Sequence, residues 1–228
     1  GKQMVFSSNR NGPFEIYRKT VGSNEQAERL PGVQPLAFAA SWSVEGNFLL
    51  YHINPGASAD RSRDIWYIHL SDGRGPVSFL ATDFDEGVPR LSPDGRYVAY
   101  QSDESGRLEV YVRRFPSDED IVQVSIDGGI SPRWRSDGKE LYFVHKNTIM
   151  AVSFEDRQRL RVGVAEPIID GDSLGIEFEL GTVNPYISRY DVSGDGRRFI
   201  GILDVSDANG NTGALTVVQN WLREFEEE

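Results

Sequence analysis

Four polar residues stand at one fixed distance from an acidic–glycine pair: Ser41 before Glu45-Gly46, Arg90 before Asp94-Gly95, Arg133 before Asp137-Gly138 and Asp191 before Asp195-Gly196. Each lies four residues ahead of the acid. Two guanidiniums, a hydroxyl and a carboxylate in equivalent places could hold an anion, because a planar guanidinium grips a carboxylate through two parallel hydrogen bonds. The competing use of the same set is ion pairing between neighbouring structural units, such as Asp191 with an adjacent arginine. The expected occupant is a protein partner or a small anionic ligand. No cofactor or metal is expected.

Other chemistries are poorly served. Nucleophilic catalysis needs a serine or cysteine, a base and an orienting acid. The chain has no cysteine. His52, His69 and His145 are scattered over strand ends, where structural or solvated roles suffice, and they make a poor zinc set. Paired carboxylates would suit a glycosidase, but Glu45, Asp94, Asp137 and Asp195 belong to turns. Glu15, Asp64 and Glu109 recur at one strand position, and a catalytic acid need occur only once. "DANGNTG" at 207–213 and "DGDSLG" at 170–175 space their side-chain oxygens like the start of a calcium loop, with the glycine and final glutamate misplaced. Gly-rich phosphate motifs are absent.

The elements that position the polar column come from a repeat. The phrase "LSPDGRYVAY" at 91–100 returns as "SWSVEGNFLLY", "RWRSDGKELYF" and "YDVSGDGRRFIG", and the chain opens on "GKQMVF". The glycines at 1, 46, 95, 138 and 196 are spaced 45, 49, 43 and 58 apart, the period of a four-stranded propeller blade with one insertion. Asp-Gly between two apolar runs is a hairpin signal, since glycine accepts positive φ and aspartate bonds the turn backbone. Three and five residues past the glycine stand Met4 and Phe6, Leu49 and Tyr51, Val98 and Tyr100, Leu141 and Phe143, Phe199 and Gly201, which share one strand face. The column between them is also apolar, so this strand is buried on both faces. A second phrase, "SNRNGPFEIY" at 8–17 and "SDESGRLEVY" at 102–111, gives the third strand. "VSFLAT" and "IVQVSI" are candidates for a fourth. Trp42, Leu91, Trp134 and Val192 alternate with the polar column and read as core between blades.

The predicted fold is therefore all-β, a propeller of about five four-stranded blades at roughly 1–36, 37–86, 87–129, 130–187 and 188–221, the first and last incomplete. The polar column falls on the innermost strands and faces the central channel. The ring is closed by five blades or is a sector of a larger one, and open blade edges invite self-association. Helical period is confined to the tail, whose acidic end at 222–228 reads as a short helix or a frayed terminus.

The motifs "LSPDGRYVAYQSDESGRLEVYVRRFP" resemble TolB-type, WD-like propeller repeats over nearly the whole chain. "ALTVVQNWLREF" is similar to the end of TolB-like segments joined to bacterial kinases or DNA-binding regulators. The resemblance implies a binding or sensing module, not an enzyme, in an extracytoplasmic, periplasmic setting, with the cytoplasm left open. Propellers also cap prolyl-oligopeptidase-type enzymes, so an accessory domain of a peptidase, or a five-bladed glycosidase, is the alternative. The net charge of −11 argues against nucleic acid as a partner. No apolar run approaches the ~20 residues of a membrane helix.

Overall fold

A computed structural model describes residues 2–56, 62–117, 120–156, 160–179, 186, 188–206 and 212–219. The first sheet holds β1 (Gln3–Ser8), β2 (Glu15–Thr20) and β3 (Glu28–Arg29). The second holds β4 (Ala37–Trp42), β5 (Phe48–Ile53), β6 (Asp64–His69) and β7 (Val77–Leu80). The third holds β8 (Glu86–Leu91), β9 (Tyr97–Ser102), β10 (Glu109–Arg114) and β11 (Ile121–Gln123). The fourth holds β12 (Ile130–Trp134), β13 (Glu140–His145), β14 (Thr148–Asp156), β15 (Leu160–Val162) and β16 (Glu166–Asp170). A one-turn helix, α1 (Gly171–Leu174), follows. The fifth sheet is β17 (Tyr190–Val192), β18 (Arg198–Ser206) and β19 (Thr212–Gln219).

Every sheet is an antiparallel meander in chain order, the pattern of propeller blades. The fourth departs from four strands because β14 is long enough to pair twice, its first half with β16 and its end with β15.

The acidic–glycine pairs at 45–46, 94–95, 137–138 and 195–196 are the turns between first and second strands. Gly46, Gly95, Gly138 and Gly196 have φ of +78°, +73°, +70° and +73°, a region where a side chain is strained. Three residues before the glycine, Ser43, Ser92 and Ser193 complete the turn in three of the blades, and Arg135 takes that place in the fourth. In the third blade the Gly95 amide donates to Ser92 O at 2.8 Å, and Ser92 Oγ donates to Asp94 Oδ1 at 2.6 Å while accepting from Tyr97 N at 2.9 Å.

Core forms between blades as well as within them, because each second strand is apolar on both faces. Ile16, Leu30 and Val33 of the first blade meet Leu49 and Tyr51 of the second. Leu50 and Ile65 meet Val98, Tyr100 and Tyr111 of the third. Tyr97, Ala99 and Val110 meet Leu141 and Phe143 of the fourth. Tyr142, Val144 and Ile149 meet Tyr190 and Phe199 of the fifth. Fully burying one such side chain stabilises by about 1.5–3 kcal/mol, and the four clusters, one between each pair of successive blades, hold the stack together.

The two calcium-like loops come out differently. The first, at 170–175, lies in the insertion of the fourth interval and forms α1: Asp170 caps it by accepting from Asp172 N, and Gly175 closes it in the left-handed region at φ +66°. The Asp170 carboxylate is thereby committed to a helix cap, and Asp172 Oδ1 accepts from Asn147 Nδ2 at 2.6 Å. The tail 220–228 and residues 207–211 of the other calcium-like loop lie outside the described residues.

Candidate functional site at a channel mouth

The inner strands β4, β8 and β12 carry a matching defect. Pairing with the second strand shifts between Ala39 and Ser41, between Gly87 and Arg90, and between Ile130 and Arg133. In two of them the local sequence explains it. Pro89 and Pro132 have no N–H for the ladder, which confines them to edges and bulges. The residues before them, Val88 and Ser131, take φ of +51° and +56°, a costly backbone for a β-branched valine. Such a bulge re-aims the next side chain. Here the next side chains are Arg90 and Arg133, and the repeated "VPRL" and "SPRW" are the sequence signal for the device.

Ser41, Arg90, Arg133 and Asp191 all line one cavity of about 590 Å³ at the end of the inner strands nearest the acidic–glycine turns. Trp42 and Trp134 line it too. Of the four polar residues, Ser41 and the Arg133–Asp191 pair are already engaged in joining blades. Ser41 Oγ accepts from Leu91 N at 3.0 Å, stitching the second blade to the third. Arg133 Nε lies 3.3 Å from Asp191 Oδ1, which joins the fourth blade to the fifth, and Arg133 Nη1 donates to Pro132 O at 2.8 Å. The Asp191 side chain is 69% exposed.

Arg90 differs. Its Nη1 donates to the bulge carbonyls Ala40 O and Pro89 O, the latter at 3.4 Å. Among the described residues it has no carboxylate within ion-pair distance. Burial, with Arg133 beside it, pushes its guanidinium down to about 9, which leaves it a cation at neutral pH. Neutral carbonyls compensate a half-buried charge only in part. The mouth thus holds two guanidiniums and one carboxylate, a locally positive spot on an acidic protein.

Trp134 is both core and rim: it packs edge-on to Phe154 at 4.8 Å, and its Nε1 donates to Arg90 O at 3.0 Å. The residues that sequence reasoning did not connect with the site are Pro89 and Pro132, although their recurrence directly before the arginines was visible.

The histidines are placed for structure. His52 is 7% exposed and stacks on Phe38 at 5.5 Å; burial, helped by Arg63 and Arg90, lowers it to about 3. His145 Nδ1 meets Gly128 O at 2.9 Å. His69 Nδ1 contacts Ser71 Oγ and Asp72 Oδ2, each at 3.3 Å. Both contacts fall on one ring nitrogen, whereas a relay needs opposite nitrogens. The recurring strand acids lock loops: Glu109 accepts from Ser125 Oγ and from Gly128 N at 2.9 Å, and Glu15 takes Arg29 Nε at 2.5 Å. Among the described residues no cluster of three His, Asp or Glu side chains is arranged for a metal, and no helix is long and apolar enough to cross a membrane.

No family model and no curated protein matches the sequence. Solved structures do match. TolB from Acinetobacter baumannii aligns with a TM-score of 0.65 at 16% identity, over 96% of this chain and 49% of that one. A puromycin-hydrolyzing peptidase from Mycobacterium tuberculosis aligns at 0.56 and 16% identity, over 93% and 38%. An oligogalacturonate lyase from Vibrio parahaemolyticus aligns at 0.52 and 11% identity, over 96% and 72%. The chain is a β-propeller module with a TolB-like fold. It spans about half the length of the TolB structure it matches.

Proposed function

We propose that this propeller is a non-catalytic binding module whose channel mouth captures a carboxylate, carried by a small anion or by an acidic segment of a partner protein. Arg90 is the anchor, and the observation that supports the reading is its lack of a carboxylate partner beside the Arg133–Asp191 pair. A guanidinium in a partly desolvated funnel attracts an anion more strongly than one on an open surface. Ser41 and the two bulges position the anchor, and the tryptophans supply apolar walls. The TolB-like fold favours binding in an extracytoplasmic setting. A second reading, a propeller accessory domain of a peptidase, is favoured by the likeness to the Mycobacterium tuberculosis peptidase.

The test is titration with succinate, read by the fluorescence of the tryptophans that line the cavity. Wild type shows a saturable, salt-sensitive change. Arg90→Ala weakens it about tenfold or more, the scale of one charge-assisted contact. The double variant Arg90→Ala with Arg133→Ala loses binding, and its stability falls by no more than the loss of the Arg133–Asp191 pair in Arg133→Ala alone. A clear drop in the melting temperature of Arg90→Ala, with affinity unchanged well below that temperature, assigns Arg90 to blade pairing and ends the proposal.

A further inference from the structure

The mouth that holds Arg90 has two further features that a simple anion does not use. The first is Asp191. Its Oδ1 accepts from Val192 N at 3.0 Å and faces Arg133 Nε at 3.3 Å, whereas Oδ2 takes no hydrogen bond among the described residues. The side chain is mostly exposed and lines the cavity, so that oxygen can be reached by a donor from outside. Positive and negative poles of the mouth are therefore in contact, and the charges of Arg133 and Asp191 both act on Arg90.

The second feature is Val44. It stands two residues before Gly46, a place taken by Pro93, Ser136 and Gly194 in the next three turns. Turns favour Gly, Pro, Asn, Asp and Ser, and a β-branched apolar residue has no backbone reason to be there. Val44 is 81% exposed and lines the cavity together with Trp42 and Trp134. Part of the mouth is thus apolar surface offered to a ligand.

These features select among carboxylates. A dicarboxylate meets the guanidiniums and is repelled by Asp191. A plain monocarboxylate leaves Asp191 unmet. The chain's net charge of −11 repels free anions at long range and is indifferent to a neutral zwitterion. Because the poles of the mouth touch, the ligand's poles must also be adjacent. An α-amino acid has this property: its ammonium is bonded to the carbon beside its carboxylate, and its side chain projects away from both. Building on the carboxylate capture proposed above, we infer that the occupant is a free α-amino acid with an aliphatic side chain. Arg90 takes its carboxylate, Asp191 Oδ2 accepts from its ammonium, and Val44 with the tryptophans covers its side chain. Charge-assisted bonds of this kind gain strength in a partly desolvated cleft.

Calorimetric titration at neutral pH compares L-leucine with isocaproate, which lacks only the ammonium, and with trileucine, whose ammonium and carboxylate lie far apart. Leucine is expected to bind about tenfold or more tightly than either, the scale of one charge-assisted contact. Asp191→Asn keeps the side chain's size and an acceptor for Val192 N. It should weaken leucine about tenfold and tighten isocaproate, because Arg133 is released to the anion. Val44→Ser, at an exposed turn position, should weaken leucine and leave glycine unchanged. Equal affinity for leucine and isocaproate, or leucine binding that Asp191→Asn leaves intact, overturns the amino-acid assignment while carboxylate capture by Arg90 stands. Trileucine bound as tightly as leucine assigns the mouth to a peptide and overturns it as well. Equal effects of Val44→Ser on leucine and glycine overturn the aliphatic contact. Failure of leucine, isocaproate and succinate alike is instead the failure of the capture itself.

Discussion

Two buried titratable groups with opposite preferences give this propeller a pH profile that can be worked out and dissected. Glu86 is 2% exposed; its Oε1 takes the Thr82 hydroxyl, and Oε2 has no partner. Burial, with Asp64 and Glu104 nearby, raises its carboxyl from 4.5 to about 7. The native state therefore holds a proton that the unfolded chain releases, so Glu86 makes stability fall as pH rises from 4.5 through 7. His52 is the reverse: lowered from 6.5 to about 3, it is neutral when folded, and stability falls as pH drops from 6.5 toward 3. Each pH unit that separates folded from unfolded titration is worth about 1.4 kcal/mol, so the full effects are roughly 3 kcal/mol for Glu86 and roughly 5 kcal/mol for His52. Between pH 4.5 and 6.5 the two slopes oppose each other and nearly cancel. Wild type should show a plateau there. Glu86→Gln should replace the plateau by a rise of about 1.4 kcal/mol per pH unit, and His52→Phe, which keeps the stack on Phe38, by a fall of about the same slope. The turn aspartates Asp94, Asp137 and Asp195 are held below the usual carboxylate value, so their contribution is lost only at lower pH. Urea unfolding followed by circular dichroism across this range measures the slopes. A Glu86→Gln protein that keeps the flat plateau would refute the reasoning.

Other outcomes follow from the turns, the core and the stitch between blades. Gly95→Val and Gly138→Val should each lower stability by about 1–3 kcal/mol, because valine resists positive φ. Gly171→Val should cost at least as much by a different route, since a Cβ there would sit 2.5 Å from Ile176 O and 2.7 Å from Asn147 O; thermal melts showing Gly171→Val unharmed would contradict the packing around α1. Leu50→Ala, at a fully buried position between the second and third blades, should cost about 2–5 kcal/mol in chemical denaturation. Ser41→Ala should lower stability by about 1 kcal/mol through the unmet Leu91 amide, and a loss several times larger in the same denaturation series would show that Ser41 does more than stitch.

Most of the fold was legible because a propeller repeats its local chemistry. The spacing of Gly46, Gly95, Gly138 and Gly196 marked four hairpins, and positive φ is a requirement of one residue in one turn. Apolar residues on both faces of "RYVAY" and "ELYFV" marked strands clamped between blades, since burial on two faces leaves no room for alternation. The polar column was legible for the same reason: equal offsets from equal turns put Ser41, Arg90, Arg133 and Asp191 at equivalent strand positions, and in a ring those positions converge.

What the column does could not be read at that level. Arg90 and Arg133 occupy identical offsets in near-identical phrases, yet one reaches a carboxylate and the other only carbonyl oxygens. That difference depends on which residue the adjacent blade presents about fifty positions away, and no local pattern records it. The bulges at Pro89 and Pro132 had a visible cause and an invisible consequence, the aim of the next side chain. The tightness at Gly171 comes only from packing against Asn147 and Ile176, which no local pattern records. The opposed protonation of His52 and Glu86 is likewise tertiary: a side chain's charge is governed by the water and charges that the folded chain leaves around it. The sequence by itself determined the repeat, the turns and the strands that line the channel, because these rest on periods of a few residues. The pairing of charges across blades, and so the chemistry of the mouth, was decided only when the blades closed on one another.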